Sequence, residues 1–251
     1  MKKLIIIMLL VFTVTKLWSQ DPYLFEPSKP AEDRNFRIPL IGEKAPSFTA
    51  ESTNGKITFP GDYGRNWKIL FSHPQDFTPV CTTEILELAN LQAQFDKLGV
   101  KLVAISTDAL STHEQWKKAM ESLAYKDKAA MKIDFPLVDD ENLTVSKAYG
   151  MIHASSNTTR DVRGVYIIDP DNIIQAIYFY SKEVGRSTDE MVRMVTALEK
   201  TRADKVLTPA NWKAGDDVLV PTIPNSTATK EELASEGLYN LDWFVWYKKA
   251  K

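Results

Sequence analysis

Cys81 is the only cysteine in a chain of 251 residues, and it stands in the run Phe71-Ser72-His73-Pro74-Gln75-Asp76-Phe77-Thr78-Pro79-Val80-Cys81-Thr82-Thr83-Glu84. A cysteine in the first turn of a helix meets unpaired backbone N–H groups and the positive end of the helix dipole, both of which favour the thiolate. Beside a cation such cysteines have pKa values lowered to roughly 3.5–7.5, and the thiolate is the nucleophilic form. A lone cysteine is more often an inert small hydrophobe. Here the helix start, the hydroxyl of Thr78 and the prolines Pro74 and Pro79 point to a nucleophile instead. The Thr78 hydroxyl can hold an oxygen-bearing substrate against the sulfur, while Pro74, Pro79 and Phe77 wall the site against water.

Two elements have to position that sulfur. Trp67 to Phe71 is a short apolar run that reads as a buried strand. Ile85, Leu88, Leu91, Phe95 and Leu98 recur at helical spacing, which predicts an amphipathic helix from Glu84 to Leu98 with Gly99 as its stop. Thr78 suits the N-cap, and Pro79 suits the first helical position, where its fixed φ and missing N–H are tolerated. Cys81 therefore falls in the first turn, where a strand hands over to a helix.

Pro74, Thr78 and Cys81, spaced Pro-Xaa-Xaa-Xaa-Thr-Xaa-Xaa-Cys, resemble the active-site signature of the peroxiredoxins, the AhpC/TSA-like family. The longer run from Phe71 to Glu84 is similar to the one-cysteine, C-terminally extended class, and the resemblance covers about Ile38 to Pro224. It implies a thioredoxin-like fold, no cofactor, and a homodimer or higher homo-oligomer whose C-terminal arm packs on a second subunit near its active site. It also implies a cation at the sulfur. Arg163, at the head of Arg163-Gly164-Val165-Tyr166-Ile167-Ile168, is similar to the family's arginine that contacts the thiolate, with Arg160 close enough to compete for the assignment. Arg186 matches the second arginine of the class, and His73 is the family's pocket-side histidine, placed to support the site with a hydrogen bond. Glu84, one turn after the cysteine, orients the arginines or favours the helix start.

The rest of the chain describes one domain with an appendage. At 44% hydrophobic residues the chain can bury a full core, and a formal net charge of -2 makes no electrostatic case for nucleic acid. In residues 1–20, Lys2 and Lys3 precede an apolar run too short for a membrane span of about 20 residues. This reads as a cleaved signal for export to a periplasm or the exterior, with an uncleaved N-terminus as the cytoplasmic alternative. Residues 21–37, bearing Pro22, Pro27 and Pro30, read as a linker. Asn54-Gly55 predicts a tight hairpin turn. Val100 to Ser106 reads as a strand, and Ser111 with Glu114 as a capping box opening the next helix. Phe135 to Val138 is a further strand, Asn142 to Tyr149 a short helix, and Val162–Ile168 with Ile173–Phe179 a hairpin. Ser187 caps a helix to about Ala203. This order predicts an α/β mixed sheet covered by helices on both faces over residues 38–203.

Residues 204–251 form a C-terminal extension arm. Thr229 with Glu232 caps a short helix, and Tyr239, Trp243, Phe244, Trp246 and Tyr247 make an aromatic tail. Docking on the partner subunit is favoured over contact with a membrane surface.

These parts suit a thiolate that attacks the terminal oxygen of hydrogen peroxide or an organic hydroperoxide, with Thr78 and Arg163 steadying the oxygens. The product is a sulfenic acid at Cys81. Lacking a second cysteine, the chain needs an external thiol to reduce it: a thioredoxin-like protein, a small thiol, or a symmetric Cys81–Cys81 bridge between subunits. The alternative is a redox-regulated holdase or peroxide sensor using Cys81 as a switch, separable by turnover. With one cysteine, and no ligand spacing at His113 or His153, no metal site is expected. Pro60-Gly61-Asp62-Tyr63-Gly64-Arg65 lacks the serine of the Gly-Xaa-Ser-Xaa-Gly hydrolase element found in some members, so no phospholipase activity is expected by that route.

Overall fold

The computed structural model describes residues 37–153, 158–222, 224 and 228–250, so the expected signal segment and nearly all of the linker lie outside the described residues. A short antiparallel pair, β1 (Phe48–Ala50) and β2 (Ile57–Phe59), leads into β3 (Trp67–Ser72), every residue of which is buried. The chain then alternates through α1 (Pro79–Lys97), β4 (Val100–Ser106), α2 (Leu110–Met120), β5 (Leu137–Asp139) and α3 (Thr144–Ala148). The helical crossovers return the chain to the same end of the sheet, so β3, β4 and β5 pair in parallel. The hairpin β6 (Arg163–Ile168) and β7 (Ile174–Tyr180) joins the other side of β3 in antiparallel register, giving the order β5-β4-β3-β6-β7. α4 (Thr188–Asp204) follows, with the Ser187 hydroxyl accepting from the Glu190 N–H as its cap.

Alternate residues of β3 face opposite sides of the sheet. Ile69 and Phe71 enter a core with Cys81, Ile85 and Leu88 of α1, Trp116 of α2, and Met191 and Val195 of α4. Leu70 packs on the other face with Val103, Ile105 and Tyr166 against Phe48, Phe59, Val145 and Tyr149. Both faces are covered, the second by α3 together with the β1–β2 pair.

One local expectation is refined and one corrected. The hairpin forms, with its tight turn at Ser52–Gly55, where the Gly55 N–H donates to the Ser52 carbonyl at 3.0 Å; Ala50 pairs with Ile57, so residues 51–56 make the connection. Those residues spend their backbone groups on β5, with the Thr53 N–H donating to the Leu137 carbonyl and the Asp139 N–H to that of Glu51, so the loop covers a sheet edge. Ser111 and Glu114 form no capping box. The N-cap of α2 is Ala109, and the Leu110 N–H is taken by the Asp139 carboxylate, an acceptor that arrives only through tertiary packing. The box at Thr229 does form, opening α5 (Lys230–Ser235).

The extension is anchored by Trp212, buried with Ala197 and Val218, its indole N–H donating to the Asp216 carbonyl. Beyond it the aromatic tail folds into a hairpin, β9 (Leu238–Asp242) and β10 (Val245–Lys248), and β10 also pairs with β8 (Val218–Leu219). Tyr239 and Tyr247 stack with ring centroids 5.2 Å apart, while Leu241, Trp243 and Phe244 at the tip stand 73%, 69% and 61% exposed. Truncating the anchor, Trp212→Ala, is expected to lower the unfolding free energy by about 3 kcal/mol, read from the urea midpoint.

Candidate active site

β3 ends at Ser72, and the chain reaches α1 through a six-residue loop from His73 to Thr78. Phe77 lies in the left-handed region at φ 56°, which turns the chain sharply before Thr78 returns to extended backbone at φ -106° and Pro79 opens the helix. Cys81 thus lies in the first turn, and it is fully buried. Thr78 occupies the N-cap position but not with its side chain: its hydroxyl donates to the Gln75 carbonyl at 2.8 Å. That bond uses its one proton and leaves the oxygen lone pairs to accept. The Thr78 carbonyl accepts from both the N–H and the hydroxyl of Thr82.

Arg163, the first residue of β6, places Nη1 3.3 Å from the Cys81 sulfur and 2.7 Å from Glu84 Oε2. Its Nε and Nη2 donate to the Lys182 carbonyl. Arg186 closes the other side of Glu84: its backbone N–H and Nε donate to Oε1, each at 2.8 Å, and its Nη2 donates to Oε2 at 2.7 Å. Arg186 Nη1 reaches the Ser72 and Gly164 carbonyls, tying β3 to β6. Burial raises the Glu84 pKa, but bonds and charge from Arg186 and Arg163 outweigh it, and the carboxyl is held below its ordinary value. Burial in turn lowers Arg186, against the pull of Glu84. The chemistry at Gly164 is steric. A Cβ there would come within 2.9 Å of the Ser72 hydroxyl, which accepts from the Gly164 N–H and donates to the Val162 carbonyl. Arg160, the competing arginine, is elsewhere, paired with Asp108 at 2.7 Å.

Among the described residues, His73 makes no hydrogen bond to the sulfur. Its Nε2 meets Asp76 Oδ1 at 2.8 Å, and Asp76 Oδ2 meets His113 Nδ1 at 2.7 Å. His113 Nε2 must donate to the Val138 carbonyl, 3.0 Å away. Burial raises Asp76, yet the two histidines bring it below its ordinary value; burial lowers His113, yet Asp76 brings it above 6.5. Both shifts favour the charged forms, a buried carboxylate facing an imidazolium. Sequence spacing missed this node because its members are 37 residues apart. It gathers ligand types suited to a metal, but a metal ligand needs a free lone pair about 2 Å from the ion. Here Asp76 bonds both rings directly and His113 is protonated toward Val138, so the donor set does not fit one. Trp116 lies beneath His73, ring centroids 5.1 Å apart, and donates to the Thr82 hydroxyl. Pro74, the second residue of the loop, is buried.

Family models match the chain in two places: the AhpC/TSA family over residues 41–177 and the C-terminal domain of 1-Cys peroxiredoxin over residues 197–235. The chain belongs to the peroxiredoxins. It is a thiol-dependent peroxidase of the one-cysteine class. The peroxiredoxin of Methanosarcina mazei is 45% identical over 215 residues, which cover 84% of this chain and 98% of that protein. The mitochondrial peroxiredoxin of Saccharomyces cerevisiae is 36% identical over 231 residues, covering 90% and 85% respectively. Among solved structures, a yeast mitochondrial 1-Cys peroxiredoxin has a TM-score of 0.72 at 34% identity, covering 85% of this chain and 100% of that one. Peroxiredoxin 6 of Arenicola marina has a TM-score of 0.73 at 31% identity, covering 84% and 98%. The C-terminal model extends beyond Pro224, so the peroxiredoxin likeness reaches past the point where the motif-based resemblance stops. Peroxiredoxins of this class use no cofactor and take electrons from an external reductant.

The Asp76–His113 pair makes stability depend on pH in a stated direction. His113, raised when folded, contributes stability that is complete below its unfolded value near 6.5 and is lost as pH rises through its folded value. His113→Gln is expected to flatten that decline, measured as the urea midpoint of wild type and variant at pH 6 and at stepwise higher pH.

Proposed function

We propose that Cys81 is the peroxidatic nucleophile, acting on hydrogen peroxide and organic hydroperoxides. The observation that carries this reading is the Arg163 guanidinium 3.3 Å from a sulfur buried in the first turn of a helix. The thiolate attacks the terminal oxygen; an S–O bond forms, the O–O bond breaks, and the leaving oxygen takes a proton from solvent and departs as water or an alcohol. The sulfur is oxidised to a sulfenic acid. Arg163 stabilises the charge passing along the oxygens, and such preorganised donors act most strongly where water is excluded. Thr78 acts as an acceptor: its own proton is committed to Gln75, so it orients the peroxide by receiving the O–H. Pro74 lines the loop, Glu84 and Arg186 hold Arg163 in place, and His73 and Asp76 brace the loop from behind.

An external thiol returns the sulfenic acid to the thiol. The solved yeast relative is described with glutathione and thioredoxin systems, and either class of thiol suits a chain with one cysteine. The assembly is a homodimer. Its support is the edge of β7 beyond Ile174, past the start that residues 42–45 cover, and the apolar hairpin tip at Trp243 and Phe244, which a second copy would cover. Residues 1–20 direct export, so the mature protein acts outside the cytosol.

Peroxide consumption with dithiothreitol tests the chemistry: wild type turns over many equivalents and Cys81→Ser none, whereas equal rates would refute the mechanism and a single equivalent would favour the sensor reading. Arg163→Lys loses the planar edge that serves both sulfur and Glu84, and is expected to lower kcat/KM on the order of a hundredfold. Sedimentation and intact mass of protein recovered from the exported fraction should give a dimer lacking the first 20 or so residues; a monomer, or an intact Met1 terminus, would count against the assembly or the export.

A further inference from the structure

The guanidinium carbon of Arg186 lies 3.3 Å from the centre of the Phe71 ring. We propose that Phe71 is a positioning residue for the peroxidase reaction: its π face holds Arg186, and through Arg186 and Glu84 it holds the Arg163 that touches the sulfur. The proposal rests on the assignment of Cys81 and Arg163 above.

The donors of Arg186 are spent around its edge. Nε and Nη2 bond the two oxygens of Glu84, and Nη1 bonds the Ser72 and Gly164 carbonyls. These bonds lie in the guanidinium plane, so any further stabilisation must come through a face. Arg186 is buried, and a cation stripped of water gains most from the negative face of an aromatic ring. Phe71 is itself buried, on the side of β3 that packs against α1, in the same core as Cys81. Leucine in its place would fill the space but offer no quadrupole.

The charge count gives that face a role in turnover. Before reaction, the two guanidiniums face two negative groups, Glu84 and the thiolate. Once the sulfur becomes a neutral sulfenic acid, one positive charge in this buried cluster has lost its counter-charge. The ring of Phe71 is in contact with the cation that must stay in place through that change and be ready for the returning thiolate.

Fluorination separates the quadrupole from packing, because each fluorine weakens the negative face while barely altering the ring's size. Phenylalanines carrying one, two and three fluorines would be incorporated at position 71 of the full chain. The second-order rate of Cys81 with hydrogen peroxide would be followed by stopped flow and thermal stability by circular dichroism. The expected result is a stepwise fall, reaching about tenfold with three fluorines. Rates that stay level across the series would overturn the proposal, including the case in which Phe71→Leu is inactive or unfolded, since the ring would then serve packing alone. Wild type and Cys81→Ser, run in the same assay, keep this outcome separate from the peroxidase assignment: loss of the peroxidase reading would appear as an inactive wild type, not as a level series.

Discussion

The structure turns on one buried carboxylate. Glu84 accepts four hydrogen bonds, from the backbone N–H, Nε and Nη2 of Arg186 and from Nη1 of Arg163. An isolated buried charge costs several kcal/mol, and neither Arg163 beside the sulfur nor Arg186 behind it could stay buried without a counter-charge. With both arginines in place, and the sulfur as a thiolate, the cluster is close to neutral. The same bonds fasten α1, β3, β6 and the lead-in to α4 at one point, because Arg186 also holds the Ser72 and Gly164 carbonyls. The reactive geometry and the tertiary packing are therefore one arrangement. Glu84 both orients the cation on Cys81 and joins the elements that carry it.

A second carboxylate, Asp76, does for the loop what Glu84 does for the arginines. It bonds His73 within the loop and His113 on α2, and His113 reaches the Val138 carbonyl on β5. The Asp76 N–H donates to Asp108, which also pairs with Arg160. The loop that presents Thr78 and Cys81 is thus fixed by buried, charge-assisted bonds to neighbouring elements. This rigidity lets Phe77 hold its left-handed conformation, which would be unfavourable in an unconstrained loop. The extension is held by less polar means: Trp212 sits against Ala197 of α4, and the tail folds on itself through the Tyr239–Tyr247 stack. Its tip is left apolar and outward.

Local patterns carried far in the sequence. The period of Ile85, Leu88 and Phe95, the proline at position 79 and the glycine at 99 act within a turn or two of backbone, and they place Cys81 in the first turn of α1 without reference to the rest of the chain. The alternation of strands and helices likewise implies the sheet, because short connections leave few topologies open. The long motif from Phe71 to Glu84 carried the family. Several other features were decided by convergence of distant segments. α2 begins where Asp139 can cap it, not at the Ser111 box, and residues 51–53 bond to β5 and cover its edge. The aromatic tail became a hairpin without a glycine at its tip to announce it. Backbone conformation and hydrophobic period are set by neighbours in sequence. The partners of buried polar groups, such as Asp76 with His113 or Arg186 with Phe71, are chosen by which segments packing brings together.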